Sequence, residues 1–215
     1  MAHKTEEEQV EDLKRWWEKN GKFVIIAGIV IVASLVGRQA WNNFQVASLS
    51  KASAQYQTLM EELNNNQIDS VVQRAQTLEQ SSADLIYSVL AALAAAKAHV
   101  EKGDNQAAAE QLQWALENAK TDKLKHIVRI RLAKVLIAQG KLDEALTHAT
   151  FPQQGVFSSQ YSVVKGDIYT KKSEIGSAKT AYQAALNDTS LGQQMRNFVQ
   201  VKLDDLGGSG DGASL

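Results

Sequence analysis

The chain is 215 residues long, carries a formal net charge of −1 and has 22% charged residues, so it presents no global basic field that would gather nucleic acid. It has no cysteine, which excludes a disulfide framework, a thiol nucleophile and thiolate metal sites. A single proline argues against a turn-rich all-β fold, and the abundance of Ala, Leu, Gln, Glu and Lys makes helix the expectation.

Residues 1–22 form a first segment. Thr5 and Glu8 fit a capping box, and Val10, Leu13 and Trp17 recur at spacings of three and four. This predicts a short amphipathic helix, lying on a membrane surface or offered to a partner.

The run "FVIIAGIVIVASLVG", Phe23 to Gly37, carries no charge, and its only polar side chain is Ser34. A spanning helix needs about 20 residues to cross a hydrocarbon core of roughly 30 Å, and the run alone supplies fifteen. Lys22 and Arg38 flank it and can snorkel their charges to the headgroups, while Trp16, Trp17 and Trp41 fall where interfacial aromatics sit. A core helix would be apolar along one stripe, whereas this run is apolar on every face. A cleaved signal sequence fits the length, but the preceding segment is long and acidic, and cleavage after Ala40 would put Arg38 where a small residue is needed. The expectation is a transmembrane helix over 23–41. Five cations precede the run (Lys4, Lys14, Arg15, Lys19, Lys22) and only Arg38 and Lys51 follow closely, which places the N-terminus in the cytoplasm. Residues 42–206 then lie across the membrane, in the periplasm of a bacterium. Ala33 and Gly37 have a small-xxx-small spacing, a pattern common by chance.

The exported part repeats. "KGDNQAAAEQLQWALENAK", "QGKLDEALTHA" and "KSEIGSAKTAYQAALND" each place a small residue at one offset after a turn: Ala108, Ala145 and Ala178. Leu112 and Tyr182 follow four residues later in the first and third, then Ala115 and Ala185. A helix precedes each turn, over 83–102, 122–139 and 158–172, with Gly103, Gly140 and Ser173 between the two helices of each pair. This is a helix–turn–helix unit of the tetratricopeptide period. The match is imperfect. Gly166 and Tyr169 fit the small and aromatic positions of the third unit, the others carry Ala96 and His99 or Ala133 and Leu136, and Pro152 cuts the second unit short. A fainter unit over 45–63 and 69–80, with Val71, Ala75 and Leu78, precedes them. A last helix, 191–206, with Met195, Phe198, Val199 and Leu203 on one side, reads as a terminal cap. Residues 207–215, "GGSGDGASL", read as a flexible tail. The fold class is all-α: one N-terminal transmembrane helix followed by a tetratricopeptide-like solenoid.

Chemistry is sparse. His3, His99, His126 and His148 do not pair at metal-ligand spacing, and no hydrolase elbow, zincin or phosphate-loop motif occurs. The expectation is no catalytic residue, no metal and no cofactor. The cluster Lys120, Lys123, Lys125, Arg129, Arg131 and Lys134 has two readings. It is a solvated helix face, or part of it lines a groove. On the repeat register Arg131 and Lys134 fall on the inner side of their helix, with Lys97 and Asp167 at comparable positions in the neighbouring units. Those four are the candidate protein-binding residues, in a groove expected to be mostly polar and to take an acidic or extended polypeptide.

The order of segments resembles one family. An acidic start leads to "VEDLKRWWEKNGK", a span ending in "GRQAWNNFQ", then "ASAQYQTLMEEL" and divergent repeats. This resembles the YfgM-like family of bacterial inner-membrane proteins, the ancillary SecYEG translocon subunits, over about residues 6–206. The resemblance implies a non-catalytic role beside the SecYEG channel and association with a PpiD-like, membrane-anchored periplasmic chaperone. It also implies help in passing newly translocated polypeptides to chaperones. A structural scaffold of another cell-envelope assembly is the alternative. It calls for an exposed apolar patch, and the groove positions named above are polar.

Overall fold

The helix-favouring composition is realised as nine α-helices and no strand among the residues described by the computed structural model, 6–81 and 86–208. Residues up to Lys51 form one unit and those from Ala52 a second. Helix α1, Glu6–Asn64, contributes to both.

In the first unit α1 opens with Glu6, Glu7 and Glu8, whose carboxylates oppose the positive end of the helix dipole. Thr5, the other half of the expected capping box, lies outside the described residues. The helix is unbroken at Gly21, which lies beneath the Trp17 indole; a Cβ there would come within 3.1 Å of the ring. Val10, Leu13, Trp16 and Trp17 are exposed, as are the large apolar side chains from Phe23 to Val36. The helix is long and apolar enough to cross a membrane. Ser34 donates to the Val30 carbonyl at 2.7 Å, so the polar side chain of the run is satisfied without water.

In the second unit the helices alternate in antiparallel pairs. The last turns of α1 pair with α2 (Ile68–Ser81), α3 (Ile86–Glu101) with α4 (Asn105–Asn118), and α5 (Asp122–Ala138) with α6 (Leu142–Ala149). Next, α7 (Ser158–Lys171) pairs with α8 (Ile175–Asn187), and α9 (Gln193–Gly208) follows. The residues expected to open α3, Ala83 to Leu85, lie outside the described ones. Asp104 caps α4, accepting from the Ala107 N–H at 3.0 Å, and Thr121 caps α5, accepting from Leu124 at 3.3 Å.

The repeat alanines are where two helix backbones meet. Ala108, Ala115, Ala145, Ala178 and Ala185 are all fully buried, with Leu112 and Tyr182 filling the space beside them. The faint first unit is a real pair: Val71, Ala75 and Leu78 are fully buried against Leu59 and Leu63 of α1. In the second unit α6 ends at Ala149, and the segment through Pro152 leads into a 3₁₀ turn, Gly155–Phe157, before α7.

Each pair turns the same way. Asn66, Gly103, Gly140 and Ser173 have φ of +56°, +82°, +75° and +61°. Gly103 N–H reaches the Val100 carbonyl at 3.0 Å and Asp104 N–H the His99 carbonyl at 2.9 Å, and the other three turns repeat this pattern. Such a closing satisfies carbonyls that the helix end leaves orphaned, and it needs a left-handed residue. Serine is the costly choice there. Ser173→Gly is therefore expected to stabilise the domain by about 0.5–1 kcal/mol, raising its thermal midpoint by roughly 1–4 °C. Thermal melts followed by circular dichroism check this; an unchanged or lowered midpoint would contradict it.

Helix α9 corrects the expected packing face. Val199 and Leu206 are buried and Leu203 half-buried, whereas Met195 and Phe198 are 39% and 54% exposed. The stripe that meets α8 is 199–203–206, one turn later than expected. Gly207 and Gly208, expected to begin the tail, complete α9; the rest of the tail lies outside the described residues.

Candidate protein-binding groove

The first helix of each pair supplies one wall of the groove. On the repeat register Tyr56, Leu93, Ile130 and Val163 are equivalent, and Met60, Lys97, Lys134 and Asp167 stand four residues further on. The structure therefore places an apolar row beside a second row that is charged from Lys97 onward. Leu93, Ile130 and Val163 are nearly covered, while Lys97, Arg131 and Lys134 are exposed.

Two hollows open along this wall. One, of about 340 Å³, lies between α3 and α5 and has Leu93, Ala96, Val100, Leu112 and Val135 as its floor. Lys97, Arg131 and Lys134 form its rim. The other, of about 310 Å³, lies between α5 and α7 and is lined mainly by Ile127, Ile130, Val163, Leu191 and Met195, with Ser159, Gln160 and Ser190 among them. Arg131 and Lys134 line this one too, so they form the ridge between the hollows. The expectation of a mostly polar groove is corrected here: its rim is cationic but its floors are apolar.

Three of the four candidate residues are brought together and one is not. Lys97 lies 3.5 Å from Glu101, one turn along its own helix and well exposed, a pairing of little strength. Among the described residues neither Arg131 nor Lys134 enters an ion pair. Asp167 stands apart. It accepts from the Tyr182 hydroxyl at 2.7 Å and pairs with Lys202 of α9, so its charge is spent inside the fold. Burial pushes the Tyr182 hydroxyl well above its ordinary range, with the Asp167 carboxylate adding to the effect.

Several groove residues carried no sequence signal. Leu191 comes from the turn into α9 and Met195, expected to pack under the cap, from its first turn; Arg196 organises that turn by donating to the carbonyls of Leu186, Asp188 and Leu191. Tyr56 lies on the α1 side, its ring 5.7 Å from that of Tyr87. Burial raises the Tyr56 hydroxyl and the nearby charge of Arg131 partly offsets this, which puts Arg131 in electrostatic reach of that wall.

Behind the groove, His126 joins the irregular segment to the helices. It is buried, hydrogen-bonded through Nδ1 to the Tyr161 hydroxyl at 2.9 Å and stacked on Phe157 at 5.1 Å. Phe151 meets it edge-on at 5.9 Å and carries Arg129 3.5 Å from its ring centre. Burial lowers the His126 pKa, Arg129 lowers it further, and Asp122 opposes them. The unfolded histidine takes up its proton near about pH 6.5, the folded one only at lower pH. At His126 the unfolded state thus binds more protons in that window, so this residue's contribution to stability falls as pH drops below about 6.5; His148, lowered by burial, acts in the same sense, and Glu79, pushed up to about 7 by burial, acts in the opposite one. His126→Gln, which removes this one titration, is expected to lessen the loss of stability towards low pH relative to the parent chain. Midpoints measured between pH 7.5 and 5.0, about one unit either side of the histidine window, check it; an equally steep loss in the variant would refute the assignment to His126.

Among the described residues no group of three or more His, Asp and Glu could hold a metal ion. Paired helices with left-handed turns, alanine seams and an inner groove define a tetratricopeptide-type helical-repeat protein. A family model described as a tetratricopeptide repeat-like domain matches residues 14–208. The chain is 35% identical over 210 residues to the ancillary SecYEG translocon subunit of Haemophilus influenzae, covering 96% of this chain and 100% of that one. It is 33% identical over 210 residues to that of Aggregatibacter actinomycetemcomitans, with 96% and 100% covered. With that of Escherichia coli K12 it shares 28% over 205 residues, 95% and 98% covered. No solved structure matches. The chain belongs to the family of ancillary SecYEG translocon subunits.

Proposed function

We propose that this chain is a non-catalytic, single-span adaptor of the bacterial inner membrane that associates with the SecYEG translocon. In this reading residues 1–22 are cytoplasmic, 23–41 span the membrane and 42–206 lie in the periplasm. There the groove binds protein segments and helps hand newly translocated chains to periplasmic chaperones, a PpiD-like membrane-anchored one among them. The observation that carries the reading is the groove itself: two mainly apolar hollows separated by two cations that enter no ion pair among the described residues.

The anchors support the span. Trp17 and Trp41 are exposed on one helix, and 24 residues at 1.5 Å each set them about 36 Å apart, enough to bracket the hydrocarbon core. Trp16 stands beside Trp17, and the exposed Lys22 and Arg38 lie inside the bracket, within snorkelling reach of the headgroups.

Affinity purification of the tagged chain from solubilised membranes tests the adaptor role. SecY and a periplasmic chaperone are expected to co-purify, and the absence of both would refute it. Protease added to intact spheroplasts tests the direction; a protected repeat domain would reverse it. The apolar floors also favour a second reading, a scaffold of another envelope assembly holding one fixed partner. A single stoichiometric companion in place of SecY would support that one.

A further inference from the structure

The groove's two hollows and the ridge between them define the chemistry of the segment it takes, an inference that rests on the protein-binding reading above. The hollows lie on either side of α5, so their centres are about one helix diameter, roughly 10 Å, apart. A polypeptide in the polyproline II conformation repeats every three residues and rises about 3.1 Å per residue, so side chains at i and i+3 face the same way some 9 Å apart. That spacing matches the hollows. An α-helical ligand puts i and i+3 only about 5 Å apart and reaches this spacing only at i and i+7, with two full turns of chain between the anchors. Between the anchors, residues i+1 and i+2 splay to the two sides of the backbone, about 120° from the anchored face, where the long exposed side chains of Arg131 and Lys134 can reach up to them.

The ridge decides what those two residues are. Arg131 and Lys134 are exposed, and no carboxylate of the described fold pairs with them, whereas the neighbouring cations Lys172 and Lys202 are matched, to Asp143 and Asp167. Lys97 adds a third positive charge at the rim of the first hollow. We infer that the groove binds extended polypeptide segments in which two large apolar side chains three residues apart bracket acidic residues, the apolar pair filling the hollows and the carboxylates meeting Arg131 and Lys134. Polyproline II is a major conformation of unfolded chains, so this surface is matched to a segment that has not folded, and it discriminates by charge against basic ones.

The test uses the full chain in phosphatidylcholine nanodiscs and a rhodamine-labelled peptide containing Leu-Asp-Glu-Leu, blocked at both ends so that no terminal carboxylate competes. Saturable binding by fluorescence anisotropy is expected, weakening as salt rises from about 50 to about 500 mM. Replacing Asp-Glu by Lys-Lys in the peptide, or Arg131→Glu with Lys134→Glu in the protein, is expected to weaken it about tenfold or more. The milder pair Arg131→Gln and Lys134→Gln, both at exposed positions, gives the same sign if charge reversal disturbs the fold. A peptide with both Leu changed to Ser is expected to lose binding to a similar degree. A benzophenone in place of the first Leu is expected to crosslink to α3 or α5.

Equal binding of the Lys-Lys peptide, binding indifferent to both protein variants, or crosslinks to lipid, to a second copy of the chain or to residues outside the two hollows would each overturn the inference. If SecY co-purifies while the acidic peptide fails to bind, the ligand chemistry is wrong and the adaptor role stands. If both fail, the adaptor role falls with it.

Discussion

Gly166→Ala is expected to destabilise the repeat domain by about 3 kcal/mol, the upper range for overpacking a core. A Cβ at Gly166 would lie 2.2 Å from Cε1, 2.4 Å from Cδ1 and 2.7 Å from Cζ of Tyr182, inside any tolerable contact. The ring cannot swing away cheaply. It is 2% exposed, and its hydroxyl donates to Asp167 at 2.7 Å. Asp167 in turn holds Lys202 of α9, so moving the ring disturbs three helices at once. The thermal midpoint should fall by roughly 6–12 °C. Tyr182→Leu alone should also destabilise, but in the Gly166→Ala background it should recover part of the loss. Melting all four members of the cycle measures that coupling. Additive losses would show that α7 and α8 make room by some other movement.

The second large effect is expected in the span. Ile29→Lys with Val32→Lys places two ammonium groups near the middle of the apolar run, at about 3 kcal/mol each on an insertion scale. Roughly 6 kcal/mol is enough to abolish stable integration of a single helix. After carbonate extraction the variant should leave the membrane pellet, whereas Leu13→Lys, outside the run, should not change the partition. A double-lysine chain that stays in the pellet would refute a bilayer-spanning role for this stretch. The exposed apolar faces of α1 would then need a protein partner.

The architecture was readable because its devices are local. Gly103 and Gly140 announce left-handed turns, and Ala108, Ala145 and Ala178 mark the seams at a fixed offset from them. Ser173 was legible only through that register, since a serine carries no turn signal of comparable strength. Asn66, which closes the faint first unit in the same way, lies in the gap left between 63 and 69, but three successive asparagines, 64 to 66, do not single out which one takes the left-handed position. The site was legible in part. Lys97, Arg131 and Lys134 stand where the register put them, as charged residues at inner positions must reach solvent. Asp167 occupies the equivalent position, yet its neutralising partner, Lys202, is 35 residues away in sequence. The apolar floors were hidden for a different reason. Leu93, Ile130 and Val163 have the periodicity of core residues, and only the gap between successive helices turns them into hollows. His126 was passed over because Phe151, Phe157 and Tyr161 come together around it only after the chain has bent at the irregular segment.

Helix α9 has a role beyond completing the count. A row of repeats has no built-in length, since the far side of each pair is shaped to receive another pair. Here Val199, Leu203 and Leu206 cover the far side of α8, and Lys202 reaches over to Asp167. A chain clipped before Gln193 would keep its four helix pairs but bare an apolar end and leave Asp167 without Lys202. Proteolysis at the α8–α9 turn would therefore turn a closed array into one with an exposed apolar end, and the sixteen residues of α9 are what keep that end out of water.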